Sequence, residues 1–121
     1  MPIKKILVVD DSPTERQFML EALSKLGYQV VLAENGEDGV AKARAELPDL
    51  VLMDVVMPGS NGFQATRQIA KDESTKHIPV IICTTKSQET DRIWGMRQGA
   101  RDYIVKPANI GELASKIAAL G

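Results

Sequence analysis

Cysteine occurs once, at Cys83, so no internal disulfide can tie the chain. Lying in the apolar run Val80-Ile81-Ile82-Cys83, it reads as a small core residue in a reducing compartment, the cytoplasm. A large net excess of charge of either sign is also missing. A formal net charge of −1 provides no bulk attraction to nucleic acid or to an anionic membrane. The longest apolar runs, Ile6 to Val9 and Leu50 to Met53, are far too short to cross a bilayer, and the charged start precedes no signal-peptide core. Glycines do not cluster into a phosphate loop; Gly27, Gly36 and Gly99 stand where helices end or turns form. The single histidine, His77, has no partner at metal-ligand spacing and reads as a solvated side chain.

What remains is a chain of 121 residues, the size of one ordinary domain, with 44% hydrophobic residues to build a core. It contains no linker, repeat or low-complexity tract, so residues 1–121 read as one domain with no room for an attached output domain.

Compact apolar runs mark buried strands at Ile6–Val9, Val30–Ala33, Leu50–Met53 and Val80–Cys83, with a shorter one at Tyr103–Val105. Unbroken apolar runs suit strands covered on both faces, as in a parallel sheet. Segments of helical period lie between them. Ser12-Pro13-Thr14-Glu15 predicts an N-cap, a proline at the first helical position and a capping-box glutamate. Phe18, Ala22, Leu23 and Leu26 then form the expected inward stripe, and Gly27 ends the helix. Further helices are expected from Asn35 to before Pro48, from about Asn61-Gly62 with Phe63, Thr66, Ile69 and Ala70 inward, and from Gln88 to Gly99. The last starts at Asn109, with Glu112 closing a capping box and a stripe of Ile110, Leu113, Ala114 and Ile117. A strand and helix repeated five times imply an α/β fold: a parallel sheet, doubly wound by helices.

Ligands of such sheets bind at the carboxyl ends of the strands. The first strand finishes in Asp10-Asp11, the third in Asp54, the fourth in Thr84, and the fifth runs into Lys106-Pro107. Taken singly, each has a plainer role: a turn aspartate, a loop opening before Met57-Pro58-Gly59, a strand-end hydroxyl, a solvated lysine. Their joint placement at strand ends is not a product of chance. Carboxylates crowded together repel, and a hard divalent cation such as Mg²⁺ relieves that conflict. With the metal bound, an ionised Asp54 can act as a nucleophile towards phosphorus, with Lys106 and Thr84 stabilising the phosphoryl oxygens.

These residues carry a family resemblance. Val8-Val9-Asp10-Asp11-Ser12, Leu52-Met53-Asp54-Val55-Val56-Met57-Pro58, Cys83-Thr84-Thr85-Lys86 and Gly99-Ala100-Arg101-Asp102-Tyr103-Ile104-Val105-Lys106-Pro107 resemble the CheY-like receiver domains of two-component response regulators. The resemblance spans nearly the whole chain. It implies a flavodoxin-like (βα)5 fold with strand order 2-1-3-4-5. It also implies that Asp54 is the phosphorylated aspartate, that Asp11 and Asp54 bind Mg²⁺ directly, that Asp10 reaches it through water, and that Val56 contributes its backbone carbonyl. Lys106 corresponds to the lysine that pairs with the phosphoryl group, and the bond before Pro107 to a cis peptide. Thr84 and Tyr103 correspond to the switch pair, in which the hydroxyl moves to the phosphoryl group, the ring turns inward, and the surface of the fourth helix, fifth strand and fifth helix changes for a partner. Trp94 lies on that fourth helix, where packing and surface exposure are equally open. Val56 and Lys86 flank the path of a hydrolytic water; Val56 cannot orient it, so self-dephosphorylation is expected to be slow unless Lys86 compensates.

Three positions depart from the family pattern. Asn61 stands where Asp is frequent, Ala108 where Phe is frequent, and Thr85 where a small residue is usual. More narrowly, Gly62 to Gln68, Thr84 to Asp91, Ser12 to Glu15 and Arg97 to Tyr103 resemble stand-alone receivers of type IV pilus, twitching-motility chemosensory systems. That resemblance implies a CheA-like histidine kinase as donor, a downstream motility protein or another receiver as target, a monomeric state, and no reaction beyond self-phosphotransfer and autodephosphorylation. Alternatives are a phosphate sink or docking module for another receiver, a mononucleotide binder, and a small aspartyl-phosphate hydrolase. The hydrolase would want an acid where Val56 stands, and the mononucleotide binder a phosphate loop where the acids of the first strand stand.

Overall fold

The structure, a computed structural model, describes residues 2–57 and 60–120. Pro58 and Gly59, part of the expected loop after Asp54, lie outside the described residues. The apolar runs form the strands β1 (Lys5–Val9), β2 (Gln29–Ala33), β3 (Leu50–Met53), β4 (Val80–Thr84) and β5 (Asp102–Val105). All pair in parallel, in the order β2-β1-β3-β4-β5. A short antiparallel ribbon, Val56–Met57 against Ser60–Asn61, follows β3 and had no signal in the sequence.

The helices are α1 (Pro13–Lys25), α2 (Gly36–Glu46), α3 (Gly62–Lys71), α4 (Glu89–Arg97) and α5 (Ile110–Leu120). Side chains alternate across a strand, so each strand feeds two cores. Ile6 and Val8 join Leu50, Leu52, Ile81 and Ile104 under α1 and α5, through Met19, Leu23, Leu113 and Ile117. Leu7 and Val9 join Val51, Met53 and Val80 under α2 and α3, through Val40, Ala43, Ala65 and Ile69. A third cluster of Val55, Ile82, Ala100 and Tyr103, with Phe63 beside it, fills the space near α4.

Helix ends explain where the elements stop. Gly27 takes φ +95, with its N–H donating to Ser24 O and the Tyr28 N–H to Leu23 O, which closes α1 in a Schellman motif. Gly99, at φ +105, closes α4 the same way through Met96 O and Gly95 O. Among the described residues no helix is long and apolar enough to cross a membrane.

The stripe expected on α1 is rotated. Met19 and Leu23, four apart, are the buried pair, while Phe18 and Leu26 are 47% and 45% exposed. Phe18 precedes Met19 by one residue, about 100° around a helix, so both cannot face the sheet. On α3 the buried set is Gly62, Ala65, Thr66 and Ile69, with Phe63 and Ala70 only partly covered. Leu23→Ala is therefore expected to cost about 2–5 kcal/mol of unfolding free energy. Phe18→Ala should stay within about 1 kcal/mol in the same denaturant titration.

Candidate functional site

The backbone ladder runs one residue past the strand ends, and this fixes the site. Asp10 N–H donates to Ala33 O at 3.1 Å, Asp54 N–H to Val9 O at 3.0 Å, and Lys106 N–H to Thr84 O at 2.7 Å. Parallel strands in register thus bring Asp10 and Asp54 side by side at one sheet edge, with Lys106 reaching across from β5. Asp10, Asp54 and Thr84 are buried. Carboxylate oxygens of Asp10, Asp11 and Asp54 all lie within 4.8 Å of one another, with Asp11 exposed at the mouth.

The Lys106 ammonium sits 2.5 Å from Asp10 Oδ2 and 3.1 Å from Asp54 Oδ2. Each acid uses its other oxygen to accept a backbone N–H, Asp10 Oδ1 from Ser12 at 3.0 Å and Asp54 Oδ1 from Val56 at 2.9 Å. Burial opposes the Lys106 charge, but the Asp10 hydrogen bond and the charges of Asp54 and Asp10 outweigh it and hold the ammonium above the ordinary lysine range. Cys83, beneath the site, is buried, and loss of solvent pushes its thiol up to about 11. It is a neutral core residue at physiological pH. The peptide bond between Lys106 and Pro107 is cis, as expected.

The remaining expected residues fall into a neighbouring group. Thr84 Oγ1 faces the Lys86 N–H at 3.4 Å, and the Tyr103 hydroxyl donates to Lys86 O at 2.9 Å. Burial, followed by the charges of Asp91 and Asp54, pushes the Tyr103 phenol up to about 12, so it remains a donor. Its ring lies inward against Ile82 and Val55, the placement that the resemblance associates with the phosphorylated state. The Lys86 ammonium lies 3.8 Å from Asp91 on α4. Val56 is 43% exposed. Trp94 is half exposed, which decides its case in favour of the surface.

Three participants had escaped the sequence reading. Glu15 does not close a capping box: the Ser12 N–H that it would accept goes to Asp10, and the Glu15 carboxylate stands 3.6 Å from Lys106. Arg16 Nη1 donates to Asp10 O at 2.7 Å, which anchors the backbone behind the acid. Gly62, at the start of α3, lies so close to the acid loop that a Cβ would come 2.3 Å from Asp54 O and 2.6 Å from Val55 Cα. None of these contacts has a local sequence signal, since each depends on which elements meet. A groove of about 520 Å³ between α2 and α3 holds none of the site residues.

The response regulator receiver domain model matches residues 6–118. The chain belongs to the response regulator receiver family. It is 62% identical to Protein PilH of Pseudomonas aeruginosa over 116 residues, 96% of either chain. It is 38% identical to the phosphate regulon transcriptional regulatory protein PhoB of the same species, over 97% of this chain but only 51% of that protein. Among solved structures, Vibrio cholerae chemotaxis protein CheY4 superposes with a TM-score of 0.91 at 30% identity, covering 98% of this chain and 99% of the other. The receiver domain of a P. aeruginosa sensor histidine kinase superposes with a TM-score of 0.89 at 32% identity, covering 97% of this chain and 96% of that one. That receiver carries a magnesium ion coordinated in its active-site cleft. Receiver domains hold Mg²⁺ in this acidic pocket and take part in two-component signalling with a phosphodonor kinase.

An added methyl at Gly62 must displace the backbone of Asp54 and Val55, not a flexible side chain. Gly62→Ala should therefore lower the unfolding free energy by about 1–3 kcal/mol. An unchanged denaturation midpoint would show that α3 can shift away freely.

Proposed function

We propose that the chain is a stand-alone receiver that accepts a phosphoryl group on Asp54 from a CheA-like histidine kinase. The observation that carries this reading is the partly buried ammonium of Lys106 held between Asp10 and Asp54 at the sheet edge. An Asp54 oxygen attacks phosphorus while the bond to the donor imidazole breaks, and the electron pair leaves with that nitrogen. Lys106 is already in contact with Asp54, so it can follow the incoming phosphoryl oxygens with little reorganisation.

Asp10, Asp11, Asp54 and the Val56 backbone carbonyl suit Mg²⁺, because they form a hard, all-oxygen donor set whose carboxylates lie close together. When bound there, the metal supplies positive charge that offsets the acids and the phosphoryl oxygens. The Thr84 hydroxyl then donates to the phosphoryl group and gives up its contact with the Lys86 amide. Tyr103 is tied to Lys86 O, so movement of this loop is felt at both α4 and β5. The readout surface is the α4-β5-α5 face, where Ile93, Trp94, Met96 and Val105 are exposed.

The pathway is a chemosensory one controlling type IV pili and twitching motility, with a motility protein or another receiver as target and a cytoplasmic monomer as the acting species. The 62% identity to PilH along 96% of either chain and the narrower sequence resemblance support this.

Incubation with Mg²⁺ and a small acyl phosphate is expected to give one phosphoryl adduct by intact mass. The adduct should be absent from Asp54→Asn and from metal-free samples; an adduct that survives Asp54→Asn would move the acceptor elsewhere. The lifetime of that adduct provides a second test. The Val56 side chain offers no polar group to a hydrolytic water, and the Lys86 ammonium is drawn towards Asp91. Val56→Asn should shorten the lifetime several-fold, and an unchanged or longer lifetime would count against a role for this position.

A further inference from the structure

Glu15 stands at the third position of α1, where a capping-box glutamate would normally turn back to the N-cap amide. Here the Ser12 N–H is already bonded to Asp10 Oδ1, and the Glu15 carboxylate faces the Lys106 ammonium at 3.6 Å instead. Its side chain is 42% exposed, against 10% for Lys106 and 10% for Asp54. The carboxylate is thus the solvent-open partner of the lysine that contacts Asp54. It adds a negative charge there beyond those of Asp10, Asp11 and Asp54.

We propose that Glu15 is a positioning residue that shares the Lys106 ammonium and makes Asp54 discriminate among phosphodonors by their net charge. The inference rests on Asp54 being the phosphoryl acceptor. Donor oxygens that engage the Lys106 ammonium come near the Glu15 carboxylate, which repels a dianion about twice as strongly as a monoanion. Glu15 also competes, as an ion pair, for the Lys106 charge that the phosphoryl oxygens must claim. Because Glu15 is partly solvated, its effect should weaken as salt rises.

Two small donors separate this effect from a structural one. Acetyl phosphate is a dianion at neutral pH; its P–O bond breaks, the electron pair leaves with acetate, and the phosphoryl group joins an Asp54 oxygen. Phosphoramidate is a net monoanion; its P–N bond breaks, and the pair leaves on nitrogen as ammonia. Initial rates of adduct formation with each donor are measured by intact mass at saturating Mg²⁺, for wild type, Glu15→Gln and Glu15→Asp. Removal of the charge in Glu15→Gln should raise the acetyl phosphate rate about five- to tenfold and the phosphoramidate rate about two- to threefold. Glu15→Asp should keep a rate ratio near that of wild type. Added salt should shift the wild-type ratio towards that of Glu15→Gln.

The ratio of the two donors within one variant cancels any difference in folded fraction. Equal changes with both donors, or no change with either, would overturn the role of Glu15 while leaving Asp54 as acceptor. Absence of adduct on wild type with both donors would overturn the acceptor reading and this inference together.

Discussion

The site depends on one partly buried positive charge. Asp10 and Asp54 are brought side by side because β1 and β3 pair in register, and carboxylates forced together in a nearly dry setting repel each other. The Lys106 ammonium, arriving from β5, makes that arrangement tolerable. It contacts both acids directly and lies near a third, Glu15. Backbone N–H groups of Ser12 and Val56 satisfy the remaining oxygens. The sheet order thus does more than build a core. It places a cation opposite anions from strands that are far apart in the chain.

A second layer of constraint lies beside the first. Thr84 ends β4, Tyr103 lies on β5, and both meet the backbone of Lys86. A hydroxyl next to the site and a buried aromatic ring under α4 are therefore linked through one short loop. Gly95 on α4 makes room for the ring, since a Cβ there would come 2.7 Å from Ile82 Cδ1 and 3.3 Å from Tyr103 Cε2.

Much of this was legible in the residues. Strands buried on both faces have to be apolar throughout, so Leu50–Met53 and Val80–Cys83 stood out, and the groups just beyond them, Asp54 and Thr84, fell at one sheet edge by topology alone. What was not legible depended on orientation. Phe18 and Met19 are neighbours of similar character, and only the packing of α1 on the sheet decides which of them is buried. Glu15 carries the local signature of a capping box, yet tertiary contacts gave its partner amide to Asp10 and its carboxylate to Lys106. The need for Gly62 arises from the approach of α3 to the Asp54 backbone, which no pattern of spacing encodes. The short ribbon after β3 likewise has too few residues to show a period.

The contrast along α4 has an evolutionary consequence. Gly95 is confined by Ile82 and Tyr103, whereas Ile93, Trp94 and Met96 around it are open to solvent. A lineage can therefore redraw the outer face of this helix, residue by residue, without disturbing the acids or the lysine. Paralogous pathways within one cell could diverge in the same way, keeping a common chemistry while insulating their conversations from cross-talk.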